Sequence, residues 1–231
     1  MDKPSAAGTG PRVGAPGASR RQQYSASTRR ALIDVAEELF TENGFAATSL
    51  DAIVAGARVT KGALYHHFSG KQALFEAVFE RVEFEATRTI ATTIERHQDP
   101  WQKARVGLGA FLGVVQEPRY RRIVIQEGPA VLGYERYREH EKRSTFANVL
   151  EIVRAVFVAG QREIDEDMLQ TFARIFFGAL SSAGESVSSA PDPVAAAARV
   201  ETAIGFILAG LQALADDGVR LPTDGDRPAT G

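Results

Sequence analysis

The strongest constraint on this chain is the recurrence of apolar residues at helical spacing, with almost none of the alternation that a strand requires. In "STRRALIDVAEELFTENGF", Leu32, Ala36, Leu39 and Phe40 fall at i, i+4, i+7 and i+8, on one helical face. Ser27 is placed to cap this helix and Gly44 to end it. In "TSLDAIVAGA", Leu50, Ile53, Val54 and Ala57 form the next stripe, with Thr48 as cap and Asp51 as its capping-box partner. A third helix after Thr60 sets Leu64 and Phe68 one turn apart. Ser69 offers a fresh N-cap, with Gln72 as partner, for a long helix reaching about Arg96.

The rest of the chain continues in the same period. Residues 102–116 read as a helix stopped by Pro118, and Gly128-Pro129 breaks a short segment over 119–127. A long helix is expected over 130–159, closed by Gly160. Another starts at Asp165 and reaches about Val187. The last has Asp192 as N-cap and Pro193 at N1, where proline is best tolerated; it runs to about Asp216 and ends at Gly218. The expectation is an all-α protein of about nine helices: three short ones, a connector and a larger helical body.

Composition adds boundaries and exclusions. Residues 1–24 are rich in Gly, Pro, Ala and Ser with scattered arginines, and read as a disordered basic arm. Residues 25–85 form the head, with a helix-turn-helix at about 48–67, residues 86–218 the body, and residues 219–231 a disordered tail. The chain has no cysteine, which excludes disulfides, thiolate metal sites and cysteine nucleophiles. The apolar run 203–215 is too short to span a bilayer and the N-terminus does not resemble a signal peptide, so a soluble, cytoplasmic protein without a membrane partner is expected.

The stretch "RVTKGALYHHFSGKQALF" concentrates two histidines, a tyrosine and two lysines. It invites three readings: catalysis, metal binding, or a grip on something anionic. Adjacent histidines on a helix diverge by about 100° and chelate one ion poorly. No nucleophile or carboxylate partner is evident beside them. No catalytic residue, metal or cofactor is therefore expected, and the chain is not read as an enzyme. A DNA surface fits better: Leu64 and Phe68 face inward, while Lys61, Gly62, Tyr65 and His66 face outward, with Ala63 at the edge. The net charge of the chain is −2, so such a surface must be local. Between Arg20 and Lys71 seven basic residues meet five acidic ones, a small bias of the right sign.

"LFTENGFAATSLDAI…VTKGALYHHFSGKQALF" resembles the DNA-binding domain of the TetR family of one-component transcriptional regulators, over roughly residues 27–79. Two positions depart from that pattern: Val54 stands where alanine is frequent, and Arg58 where a turn glycine is frequent. The expected DNA contacts are Thr48, Ser49, Thr60, Lys61, Gly62, Ala63, Tyr65, His66, His67 and Lys71. Lys61, Tyr65 and Lys71 are placed at phosphates, and Gly62, Ala63 and His66 near base edges. Thr48, Thr60 and His67 resemble the family's phosphate-contacting or capping residues.

The resemblance implies a C-terminal ligand-binding and dimerisation domain whose last two helices build a four-helix bundle with those of a second copy. Expected interface residues are Phe177, Gly178, Ser181, Gly184, Ile204, Leu208 and Leu211; an intramolecular core explains part of the same apolar pattern. For the ligand pocket, Trp101, Phe111, Ile125 and Tyr137 are candidates, together with Phe146, Leu150, Phe157, Phe172 and Phe176. The implied function is a ligand-responsive regulator: a homodimeric repressor released from a pseudo-palindromic double-stranded operator by a small, largely apolar effector. The alternative is a helical small-molecule-binding or enzymatic protein with a non-functional head.

Overall fold

The computed structural model describes residues 16–143, 145–159 and 164–217. Every regular element among them is helical. The head comprises α1 (Pro16–Ala47), α2 (Leu50–Gly56) and α3 (Lys61–His67). The connector is α4 (Lys71–Glu95). The body holds α5 (Pro100–Gln116), α6 (Pro118–Tyr120), a π-helical segment (Arg121–Glu127), α7 (Gly128–Leu132), α8 (Tyr134–Arg143), α9 (Thr145–Ala159), α10 (Glu166–Ser189) and α11 (Pro193–Asp216).

The head packs around Leu32, Ala36 and Phe40 of α1, Ile53 of α2, Leu64 of α3, and Leu74, Phe75, Val78 and Phe79 of α4. The rings of Phe40 and Phe45 each meet Phe75 edge-on, with centroids 5.3 Å apart. This core runs on without a break into α5 and the π-helical segment through Leu108, Phe111, Ile123 and Val124. A second, smaller cluster joins α9 and α10 at Val149, Val153, Leu169 and Ala173.

Aspartates cap three helices of the body: Asp192 as expected, Asp165 where a helix was expected to start, and Asp99, which the sequence analysis did not offer. Asp99, Asp165 and Asp192 accept the N–H groups of Gln102, Met168 and Ala195 at 2.6, 2.7 and 3.0 Å. The caps expected at Ser27, Thr48 and Ser69 do not form. Helix α1 begins at Pro16, so Ser27 lies inside a helix and residues 16–24 are not the unfolded arm anticipated. That stretch supplies Arg, Gln and Ala, good helix formers, and a packed helix propagates readily into such a neighbour. The cap of α2 is Ser49, whose hydroxyl accepts Ala52 N–H at 3.1 Å, one residue after the Thr48 expected. Gly70, not Ser69, precedes α4, and Gln72 instead donates its amide to the carbonyl of Val131.

The segment expected as one helix over 130–159 is divided. Gly128-Pro129 opens α7 rather than breaking a helix, and Gly133, at φ 81°, breaks the chain before α8. Residues 1–15, Gly160 and the tail from Gly218 lie outside the described residues.

Candidate DNA interface and effector cavity

The recognition surface is built by two capped helices and one unusual turn. Thr60 caps α3, its hydroxyl accepting Ala63 N–H at 3.2 Å. After α2 the chain closes a Schellman motif: Val59 N–H bonds Val54 C=O at 3.0 Å and Arg58 N–H bonds Ala55 C=O at 3.2 Å. The residue at the left-handed C′ position is Arg58, at φ 54°, the one non-glycine residue with positive φ among those described. The arginine in the turn therefore keeps the geometry that a glycine would adopt, at a strain of about 1–2 kcal/mol. Its side chain points to solvent.

The sorting of α3 matches its sequence. Leu64 is 1% exposed and Phe68 is buried beside it, while Thr60, Lys61, Gly62, Tyr65 and His66 are open to solvent and Ala63 and His67 are half-buried. Lys61 pairs with Asp51 of α2 at 2.6 Å, and that hydrogen bond holds its ammonium pKa above the usual lysine value. Both partners are exposed, so a phosphate can compete for the lysine. Partial burial, then the neighbouring His66 and Arg29, push the His67 pKa below 6.5. Arg29 sits 5.2 Å from the centre of the Phe68 ring. The sequence reading counted it only as charge; its place beside α3 makes it part of this surface.

Two expected contacts are corrected. Thr48 is 3% exposed, and its hydroxyl donates to Gly44 C=O at 2.8 Å and Leu39 C=O at 3.1 Å. It locks the α1–α2 corner and presents nothing to DNA. Lys71 turns inward as well. Its ammonium donates to the carbonyls of Phe45 at 2.7 Å and Thr48 at 2.9 Å, and lies over the Phe45 ring. A cation at the carbonyl end of α1 is electrostatically well placed there. Ser49 remains exposed as the cap of α2.

The body holds a partly open cavity of about 190 Å³ between α4, α5, α9, α10 and α11. Of the residues expected at a ligand pocket, Trp101, Phe111, Phe157, Phe172 and Phe176 line this cavity. Ile125, Tyr137, Phe146 and Leu150 do not. Ile125 lies in the π-helical segment beside Gly184. Tyr137 packs on Phe79 and Phe146 on Phe177. Leu150 supports the small α9–α10 cluster. The reading missed Ile90 and Ile94 of the connector, which also form the wall. Their spacing of i and i+4 was the available signal.

The expected interface residues also divide. Gly184 is buried against the Phe111 ring, Leu208 is buried, and Ile204 and Leu211 line the cavity. These four belong to the monomer's own packing. Phe177 is half-buried on Phe146, Ser181 is half-buried, and Gly178 faces open space. The exposed apolar residues of these two helices are instead Phe206, 81% exposed, with Ile175 and Leu214, while Ile207 is partly open to solvent and also lines the cavity. By length and composition α11 is apolar enough to cross a membrane, with mean hydropathy 1.6 over its most apolar 18 residues, contrary to the shorter run counted in the sequence. It packs one side on α5 and α10 and leaves the other uncovered.

Residues 32–78 match the model for bacterial regulatory proteins of the tetR family, and residues 101–211 match the tetracyclin repressor-like C-terminal domain. The first match ends inside the connector α4 and the second begins in α5, and together they span most of the chain. The chain belongs to the TetR family. The Tn10 TetC protein of Escherichia coli is 27% identical over 69% of this chain and 81% of its own length. The transcriptional regulator SrpR of Pseudomonas putida is 29% identical over 67% of this chain and 72% of its own. The AcrR regulator of Shigella flexneri is 41% identical, but over only 29% of this chain and 31% of its own. A crystal structure of a TetR-family regulator from Pectobacterium atrosepticum superposes with a TM-score of 0.71 at 28% identity, covering 82% of this chain and 96% of that one. As a TetR-family protein, the chain is a DNA-binding transcriptional regulator, and the family relationship points away from an enzyme.

Proposed function

We infer that the protein acts in the cytoplasm as a homodimeric repressor, reading a pseudo-palindromic operator with two copies of α3 and leaving it when a small, largely apolar effector enters the cavity. The observation that carries this reading is the joint between head and body. The carboxylate of Glu127, at the end of the π-helical segment, accepts Phe45 N–H of the head at 2.7 Å. Arg122 Nε approaches the same carboxylate at 3.2 Å. Gly44, at φ 80°, leaves room for both; a Cβ there would collide with Arg122 and Glu127. Beyond this joint, Arg119 bonds Glu85 of α4 at 2.6 Å and reaches Glu37 of α1 at 3.4 Å.

The cavity touches the same machinery from the other side. Ile90 and Ile94 are wall residues and belong to the connector. Phe111, also in the wall, packs through Gly184 toward Ile125 of the π-helical segment. An effector that alters the wall acts on elements that hold the head. A twofold dimer then converts a tilt of each connector into a change of spacing between heads, and a palindromic site is sensitive to spacing. Dimerisation covers Phe206, Ile175 and Leu214, which water otherwise faces.

The test is selection of bound duplexes from a random pool, followed by a compound screen for release. Operator affinity should fall steeply with salt, as phosphate contacts require. If selection at low salt yields no enriched duplex while the dimer is intact, the reading fails.

A further inference from the structure

The cavity is lined almost wholly by hydrocarbon, with one exception in its α9 wall. Asn148, Ile152 and Val156 stand at i, i+4 and i+8 on one face of α9 and all three line the cavity. Apart from the indole of Trp101, Asn148 supplies the only polar lining side chain among the described residues. Its amide nitrogen is enclosed, and no hydrogen-bond partner among the described residues reaches it. Buried amide donors are nearly always paired, because an unpaired one forfeits its hydration and gains nothing in return. A leucine at this position would continue the apolar stripe without that cost. The amide is therefore a liability to the empty protein, and it gains a purpose when a guest supplies the missing partner.

We propose that the effector carries a hydrogen-bond-accepting oxygen, of ketone, ester or ether type, on an otherwise apolar frame, and that Asn148 is the residue that reads it. The inference rests on the reading of this cavity as the effector site. The chemistry follows from the unmet group, since an amide NH2 donates and asks for an acceptor. The terminal amide torsion is broad, so the donors can turn toward a guest while the backbone of α9 stays in place. In a wall this apolar, water offers little competition for the bond. The hydrocarbon surface supplies affinity, and the single amide separates oxygenated guests from hydrocarbons of the same shape.

Two probes differing by one carbonyl, indane and 1-indanone, test this on the full-length protein by titration calorimetry. The protein has one tryptophan, Trp101, and it lies in the cavity wall, so its fluorescence reports occupancy independently. The ratio of indanone to indane affinity is measured in the wild type, in Asn148→Leu and in Asn148→Ala. Comparing the ratio between proteins cancels the different hydration of the two probes. The expected result is a ratio about tenfold lower in both variants, equivalent to about 1.4 kcal/mol, with indane bound at least as tightly by Asn148→Leu as by the wild type. An unchanged ratio, with both probes bound and Trp101 perturbed, overturns the role of Asn148 and leaves the cavity reading standing. If neither probe binds any of the three proteins and Trp101 does not respond, the cavity reading fails and the inference with it. Asn148→Ala adds no bulk, so it carries the test if the leucine variant folds poorly.

Discussion

Lys71 and Arg58 are both cations beside the recognition helix, yet backbone geometry gives them opposite roles. Lys71 satisfies carbonyls left over where α1 ends. Replacing it with methionine keeps the stem and removes the donors, at an expected loss of about 1.5–3 kcal/mol, the range for hydrogen bonds to charged groups. Urea denaturation of the Lys71→Met protein checks this; unchanged stability would return Lys71 to the DNA-facing set. Arg58→Gly should act the other way. It relieves the left-handed strain but frees the unfolded chain, leaving a net gain of about 0.5–1 kcal/mol by the same measurement. His67 adds a pH dependence. Its folded pKa lies below 6.5, so the unfolded chain takes up a proton first as pH falls. Stability contributed by neutral His67 is present above pH 6.5 and is lost as pH falls from 6.5 through its lowered folded value. Thermal melting from pH 7.5 to 5 should therefore show a smaller decline in His67→Asn than in the wild type.

At the scale of elements, α3 and α11 each expose a face that the folded monomer does not need. Tyr65 is 58% exposed. Tyr65→Ala should weaken operator binding about tenfold or more, consistent with the loss of one or two contacts at about 1–3 kcal/mol each, while the melting temperature stays unchanged. If melting drops instead, Tyr65 belongs to the core. These faces were legible to different degrees. The inward and outward sides of α3 followed from spacing alone, because Leu64 and Phe68 fix its rotation. Aspartate caps were readable at Asp165 and Asp192, where an acidic first turn or Pro marked the same boundary; Asp99, also followed by Pro, was passed over because the helix was started at Gln102. Thr48 and Ser49 are adjacent and chemically alike, and only burial decides which one caps. Ser27 carries a cap signature inside a helix that had already begun. Ile125 was misplaced because i→i+5 bonding over Arg121–Glu127 shifts the phase on which a 3.6-residue reading relies. Gly184 and Leu208 were placed at the interface because apolar residues on two sides of a helix do not reveal which side faces its own body.

For the whole molecule the central question is how a cavity among α4, α5 and α9–α11 acts on a surface at α3. Two connections leave the cavity: the connector helix itself, through Ile90 and Ile94, and the π-helical segment, which ends at Glu127. The first is covalent and continuous with the head. The second depends on a bond between Glu127 and Phe45 N–H, which separates wherever head and body move apart. Glu127→Ala removes that bond without touching the cavity wall or the outward face of α3. If both connections carry the signal, the variant should bind the releasing compound as tightly as the wild type and still bind operator. Its loss of operator affinity on saturation should shrink. Coupling of about 1–3 kcal/mol corresponds to a 5- to 150-fold effect in the wild type, and removal of one charge-assisted bond of about 1.5–3 kcal/mol is large enough to reduce it severalfold. Operator affinity measured with and without saturating compound, in both proteins, gives the coupling directly. An unchanged ratio would assign transmission to the connector alone, because Glu127 would then hold the head identically in the free and bound states.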